Sequence, residues 1–142
     1  MPSAIYAAFF FTVAMLVTTA YFLLGGLPLL ILQHDEPLDA RFVRGFFNVY
    51  YKAAFWVALC ASASYALWGQ WAYAAGAAAM AAVSTALRKR LVPAMEQLGS
   101  QIEARNGGAV QRFRRVHATA LLVNLAQLVV LVWGLIALSR SL

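Results

Sequence analysis

Two histidines are the residues of this sequence whose chemistry best suits a metal ion or a haem iron. His34 follows the first long apolar segment, and His117 lies at the start of the last one. Imidazole is the commonest protein ligand of transition metals and a frequent haem ligand. The alternative is that both are ordinary histidines at a membrane interface. No Cys, His or carboxylate cluster with metal-ligand spacing accompanies them.

Polar side chains also form a stripe along the last apolar segment. His117 and Asn124 are seven residues apart and share a helix face, and Gln127 lies one turn further on. Polar residues within a membrane helix are expected to face the interior of a bundle. The stripe therefore predicts either interhelical hydrogen bonds, worth roughly 0.6 to 2 kcal/mol each, or part of a ligand pocket.

A second polar group opens the second apolar segment. Arg44, Asn48 and Lys52 follow one another at intervals of four residues, so they lie on one helix face. One interpretation is that the Lys52 ammonium reaches the interface along its flexible stem. The other is that the three residues line an anion-attracting cleft facing the cytoplasm, which would suit a lipid phosphate, a quinone carbonyl or an acidic metabolite. The predicted ligand pocket combines both polar groups: Asn48, Lys52, His117, Asn124 and Gln127.

Four long apolar segments must position these side chains. The 142-residue chain is 63% hydrophobic and only 11% charged, whereas soluble domains are about a quarter charged. A membrane helix needs about 20 apolar residues. The sequence therefore predicts a single all-α membrane domain over residues 1–142, a four-helix antiparallel transmembrane bundle. The predicted spans are residues 5–32, 45–67, 71–87 and 116–138.

The segments between the spans carry further signals. Trp68-Gly69-Gln70-Trp71 predicts a tight turn, and Asn106-Gly107-Gly108 predicts a helix stop. Residues 91–104 predict a short cytoplasmic amphipathic helix before the last span, set off by Pro93. Its apolar face is Val92, Met95, Leu98 and Ile102.

Small residues predict close packing between the second and third helices. Ala72 with Gly76, and Ala75 with Ala79, have the four-residue spacing that lets helix backbones approach in membranes. The second helix offers a matching surface of small residues: Ala58, Cys60, Ser62 and Ser64.

Basic residues predict the orientation, because cytoplasmic loops are enriched in Lys and Arg. The first and third links are basic, whereas the 68–71 turn has no Lys or Arg. We therefore expect a multi-pass inner-membrane protein with both basic links in the cytoplasm and both termini outside it. The cluster expected to contact anionic lipid is Arg88, Lys89, Arg90, Arg112, Arg114 and Arg115.

The entry to the last helix carries a resemblance to known proteins. Arg112-Phe113 followed by His117, with Asn124 further on, resembles a group of small bacterial four-helix inner-membrane proteins of mostly unknown function. Leu91-Val92-Pro93-Ala94-Met95 is similar to their segment after the third helix. The layout is also distantly similar to a eukaryotic transmembrane family tied to platinum-drug tolerance, and to anthrone-oxygenase-like membrane proteins. The resemblance implies a four-span fold and assigns no activity.

A second resemblance concerns the end of the first helix. Gly25-Gly26-Leu27-Pro28, ending at His34, is similar to the copper-resistance D family and the haem-linked protoporphyrinogen-oxidase family. The sequence lacks the basic residue that the haem-linked family has directly after the proline. That activity is therefore not carried over, and His34 and His117 remain candidates by position.

Taken together, these features favour a non-enzymatic accessory or ligand-binding subunit with a polar pocket open to the cytoplasm. One alternative is a membrane redox enzyme that uses haem, a metal or a quinone at His34 and His117. Another is an oligomeric permease for a metal or a small hydrophobic compound. The expected partners are the lipid bilayer, anionic lipids, further copies of the chain or a larger membrane complex. The net charge of +6 is assigned to membrane orientation and not to nucleic acid.

Overall fold

Four long helices make up the part of the chain that the structure, a computed structural model, describes, namely residues 2–31, 37–103 and 108–141. They are α1 (Pro2–Ile31), α2 (Pro37–Trp68), α3 (Trp71–Glu103) and α4 (Ala109–Ser141). No strand occurs in these ranges. At 1.5 Å per residue each helix is about 45 to 50 Å long, which exceeds the roughly 30 Å of a bilayer's hydrocarbon core.

The turn between α2 and α3 is closed by Gly69. Its φ of 88° is left-handed, and glycine adopts this conformation without steric cost. The Gly69 N–H donates to the Ala66 carbonyl at 3.1 Å, and the Gln70 N–H donates to the Tyr65 carbonyl at 2.9 Å. This pair of bonds is the Schellman motif, which satisfies carbonyls at a helix C-terminus. The tight turn predicted at residues 68–71 is confirmed.

The four helices form an antiparallel bundle in which each helix packs against two neighbours. α2 contacts α1 and α3, and α4 contacts α1 and α3. Polar contacts along α1 show the direction: Thr12 meets Tyr65, Thr19 meets Asn124, and Gly26 meets His117. The partner in α4 moves back by seven residues as the α1 position advances by seven. This arrangement fixes the relative depth of every side chain discussed below.

The most extensive interface lies between α2 and α3, which confirms the predicted close packing of these two helices. The α3 residues buried there differ from the predicted set. Ala74, Ala77 and Ala81 are buried in one apolar cluster with Ala58 and Ala61 of α2. The Ser62 hydroxyl also donates to the Ala74 carbonyl at 2.8 Å, which holds the two backbones together.

The prediction of which small-residue face of α3 packs against α2 was wrong. Ala72, Ala75, Gly76 and Ala79 are all exposed, and a Cβ atom added to Gly76 would meet nothing within 4 Å. Alanine occupies nearly every face of this part of α3, so residue size alone does not identify the face that contacts α2. The spacing of three and four between Ala74, Ala77 and Ala81 selects a neighbouring face.

The predicted short amphipathic helix is also not separate. α3 continues without interruption through Pro93 to Glu103. The predicted apolar face is confirmed where it is described: Met95 is 1% exposed, and Val92 and Leu98 pack against the same cluster as Phe113. This packing holds the segment in line with α3, although a proline lacks the N–H that would complete the helical hydrogen bond. The Ile102 side chain lies outside the described residues.

Two helices are long and apolar enough to cross a membrane in the described ranges. They are the Ser3–Gly26 segment of α1, with mean hydropathy 2.0, and the Ala109–Arg140 segment of α4, with mean hydropathy 2.4. Only 28% and 22% of their most apolar windows are buried inside the bundle. Each helix also exposes large apolar side chains, among them Phe10 and Val17 of α1 and Leu122 and Trp133 of α4.

Candidate functional site: a polar core and a basic cleft

Asn124 is the centre of the polar core. It is 2% exposed, and its amide makes two hydrogen bonds to two other helices. Its Oδ1 accepts from the Tyr50 hydroxyl at 2.7 Å, and its Nδ2 donates to the Thr19 carbonyl at 2.9 Å. One side chain thus joins α1, α2 and α4. The prediction that the α4 stripe faces the bundle interior is confirmed here.

His117 lies two helical turns from Asn124, toward the basic end of the bundle. Its side chain is fully buried, and its ring packs edge-on against Phe47 at 5.0 Å between centroids. Nε2 lies 3.1 Å from the Gly26 carbonyl oxygen. Because a carbonyl only accepts, Nε2 must carry the proton of this bond. His117 therefore fastens α4 to α1 through the backbone.

Gly26 is required at this contact because α1 and α4 approach closely. A Cβ atom at position 26 would lie 2.5 Å from Leu121 Cδ2, well inside van der Waals contact. Leu121 is itself 4% exposed and has little room to move. The glycine thus lets the backbone carbonyl reach the imidazole.

Gln127 lies one helical turn from Asn124, beside the two residues that bond the Asn124 amide. It is half-buried and lines a small cavity with Thr19, Tyr50 and Ser84. The cavity measures about 20 Å³, which is room for about one water molecule. This space suits a bridging water in the polar core and is too small for an organic ligand.

Asn48 and Lys52 line the other side of α2, where α2 faces α3. The Asn48 Oδ1 accepts from Arg88 Nε at 3.0 Å, which orients the guanidinium of α3. Lys52 lies one turn deeper in the bundle and is exposed. The structure therefore separates the predicted pocket into a buried core at His117 and Asn124, with the Gln127 cavity beside it, and a basic cleft at Lys52. Asn48 does not line the cleft but bonds Arg88, which does.

The basic cleft between α2 and α3 has a volume of about 300 Å³. Positive charge from both helices converges on it through Lys52, Arg88 and Lys89. None of the described residues that line it is acidic. Its full lining is Tyr51, Lys52, Phe55, Trp56, Thr85, Arg88 and Lys89.

Tyr51 lines the basic cleft and also carries an unusual buried polar atom. The side chain is 2% exposed, and its hydroxyl oxygen is buried without a hydrogen-bond partner among the described residues. Such atoms are rare, because a buried polar group gives up its hydrogen bonds to water. Thr85 also lines the cleft, and its hydroxyl donates to the Ala81 carbonyl at 3.1 Å, so its oxygen remains able to accept.

The sequence did not single out Tyr51 or Thr85. Tyr51 directly precedes Lys52, and Thr85 lies one turn before Arg88 and Lys89. On both α2 and α3 a polar side chain lies within one turn of a basic residue, and this pairing is the sequence signal that could have identified Tyr51 and Thr85. Recognising it requires the register between α2 and α3, which a sequence does not contain.

The remaining basic residues lie at the same end of the bundle. Arg112 Nη2 donates to Gln101 Oε1 at 2.7 Å, which links α4 to α3. Arg44 lies 3.9 Å from Glu96, an exposed ion pair that contributes little to stability. Arg90 and Arg115 are exposed, whereas Arg114 is half-buried. All six cations predicted to contact anionic lipid thus belong to the end that holds His117.

His117 is the one of the two candidate haem or metal ligands that lies within the described residues. No group of three or more His, Cys, Asp or Glu residues in the described ranges could hold a metal ion. The His117 ring is enclosed by protein, and its Nε2 proton bonds the Gly26 carbonyl. His34 lies outside the described residues. The surroundings of His117 match a side chain that joins two helices.

No protein-family model, curated protein or solved structure matches the chain.

Proposed function

We propose that the chain is a four-span inner-membrane protein that works as a non-enzymatic ligand-binding or accessory subunit. Its ligand site is the basic cleft between α2 and α3, and it opens to the cytoplasm. The observation that carries this proposal is the convergence of Lys52, Arg88 and Lys89 from two helices with no acidic residue in the described lining. Uncompensated cations around a cleft attract an anion.

The outward faces of the helices support membrane insertion. A core helix of a soluble bundle would be mostly buried, yet the apolar windows of α1 and α4 are only 28% and 22% buried. α2 also exposes large apolar side chains: Trp56 at 62%, Leu59 at 42% and Leu67 at 74%. Apolar surface on this scale is unfavourable in water and favourable in lipid.

The bundle geometry supports four spans instead of two. α2 and α3 lie alongside α1 and α4 and share their length. If α1 and α4 cross the bilayer, α2 and α3 must therefore lie at the same depth. The excess of Lys and Arg at the His117 end supports a cytoplasmic location for that end, with both termini on the opposite side.

Topology is tested with reporter fusions in bacterial cells. We expect a reporter fused after Leu142 to be active outside the cytoplasm, and one inserted after Gly108 to be active in the cytoplasm. A cytoplasmic C-terminal reporter, or a protein extracted from membranes by alkaline carbonate, would refute the four-span proposal.

Ligand binding is tested by purifying the protein in a mild neutral detergent and identifying retained molecules by native mass spectrometry. We expect a retained anionic molecule whose occupancy falls in the Lys52→Gln/Lys89→Gln variant. The matched control is Arg90→Gln/Arg115→Gln, which removes the same charge at the same end from exposed residues outside the cleft. Equal occupancy in the two variants would contradict the site, and a visible haem band in the purified protein would favour the redox alternative.

A further inference from the structure

The basic cleft has two chemically different ends. α2 runs away from the basic end of the bundle, so Lys52 is followed one turn deeper by Phe55 and Trp56. α3 runs toward the basic end, so Arg88 and Lys89 lie nearer the interface than Thr85. The cleft is therefore cationic at its mouth and aromatic further into the bundle.

This gradient matches the orientation of a phospholipid in the cytoplasmic leaflet. A headgroup phosphate lies at the interface, and its acyl chains run toward the bilayer centre. Trp56 is 62% exposed and lies on the outer side of the cleft, where its ring can lie along an acyl chain. A small soluble anion would bind the cations only and would make no contact with the aromatic side chains.

We infer that the basic cleft is a specific site for an anionic phospholipid, an inference that rests on the proposed function. The headgroup phosphate is held by Lys52, Arg88 and Lys89, and an acyl chain lies against Phe55 and Trp56. Asn48 fixes Arg88 through Nε, so the terminal nitrogens of the guanidinium are oriented before the lipid binds. Oriented guanidinium groups favour bidentate contacts to phosphate oxygens.

Tyr51 supplies a second, independent indication. Its buried hydroxyl has no partner among the described residues, and its side chain lines the same cleft. The mouth is formed by exposed Lys and Arg side chains, whose flexible stems let a headgroup enter. A phosphate oxygen is a strong acceptor and would complete the hydrogen bonding of this hydroxyl.

The test compares lipids that differ only in the headgroup. The purified protein is titrated with phosphatidic acid, phosphatidylglycerol and phosphatidylcholine of the same acyl chains, and binding is measured by native mass spectrometry. We expect both anionic lipids to bind more tightly than phosphatidylcholine. Each cation removed weakens binding about fivefold, so Lys52→Gln/Lys89→Gln loses roughly 25-fold. Arg90→Gln/Arg115→Gln removes two exposed cations of the wider basic cluster, which the sequence also predicts to contact anionic lipid but which lie outside the cleft. If the cleft is the site, we expect this variant to lose at most about twofold in affinity, and a loss as large as that of Lys52→Gln/Lys89→Gln would overturn the cleft as the site.

Tyr51→Phe separates a ligand role from a structural one. We expect weaker binding of the anionic lipids, because the hydroxyl donor is lost. We also expect an unchanged or higher unfolding temperature without lipid, because the removed hydroxyl has no described partner. An unchanged affinity with a lower unfolding temperature would assign Tyr51 to the core and refute its part in the site.

A parallel titration with inorganic phosphate separates the inference from the proposed function. If phosphate raises the unfolding temperature of the wild type but not of Lys52→Gln/Lys89→Gln, while the three lipids bind equally, the cleft binds a soluble anion. In that case the lipid inference is overturned and the proposed function stands. If neither lipid nor phosphate distinguishes the cleft variant from its control, both are wrong.

Discussion

The hydrogen bonds of Asn124 should contribute measurably to the stability of the bundle. We expect Asn124→Ala to remove the bonds to the Tyr50 hydroxyl and to the Thr19 carbonyl. Tyr50→Phe removes only the first of these. The two single variants and the double variant form a cycle that isolates the coupling between Asn124 and Tyr50.

The expected magnitude follows from the number of bonds. Hydrogen bonds between membrane helices contribute roughly 0.6 to 2 kcal/mol each. Two such bonds predict a loss of about 1 to 4 kcal/mol for Asn124→Ala. The coupling energy with Tyr50 should be roughly 0.6 to 2 kcal/mol, the value of one bond. At 2.7 Å, the Tyr50 contact is the shorter of the two.

The free energy of unfolding is measured by reversible unfolding in mixed detergent micelles, monitored by circular dichroism. Steric trapping in bicelles is the alternative method. Gln111→Ala is the control, because Gln111 is an exposed amide of the same helix. We expect the control to change the free energy of unfolding by less than about 0.5 kcal/mol. A coupling energy near zero, with a stable double variant, would refute the assignment of Asn124 as the centre of the polar core.

Three further variants test the helix contacts. Gly26→Ala should lower the free energy of unfolding by about 1 to 3 kcal/mol, because the added Cβ clashes with Leu121. Gly45→Ala is the control: a Cβ at position 45 meets nothing within 4 Å, so it should raise the free energy of unfolding by about 0.5 to 1 kcal/mol. Equal effects of the two variants would contradict the close approach of α1 and α4. His117→Phe should lower it by roughly 1 to 2 kcal/mol and leave the visible absorption spectrum unchanged, and loss of a visible band would instead identify a cofactor ligand. Pro93→Ala should raise it by up to about 3 kcal/mol, because the exposed proline lacks a helical N–H, and a decrease would show that its ring packs in the native state.

Much of the fold was predictable because its signals are local. Apolar length predicts the helices, and Gly69 predicts the turn by its own conformational freedom. The continuity of α3 through Pro93 was not predictable from propensity. It depends on Met95 packing against residues of other helices, and that tertiary contact outweighs the local preference of proline.

The site was predicted in part, because residue spacing is a local signal and the identity of the contacting partners is not. The seven-residue spacing of His117 and Asn124 identified a face, and the structure buries both. Their partners are a backbone carbonyl at Gly26 and the Tyr50 hydroxyl, neither of which carries a spacing signal. Which side chains meet depends on helix register, and register is a property of the packed bundle.

The division of polar groups between core and cleft determines where a ligand can bind. In the core, the Asn124 amide and the His117 Nε2 each bond a partner on another helix, so these groups hold the helices in register. In the cleft, Lys52 and Lys89 are exposed and face a wall without described acidic residues. A ligand at the core would have to break hydrogen bonds that stabilise the bundle, whereas a ligand at the cleft would only neutralise repelling charges. Core variants should therefore change stability first, and cleft variants should change binding with little effect on stability.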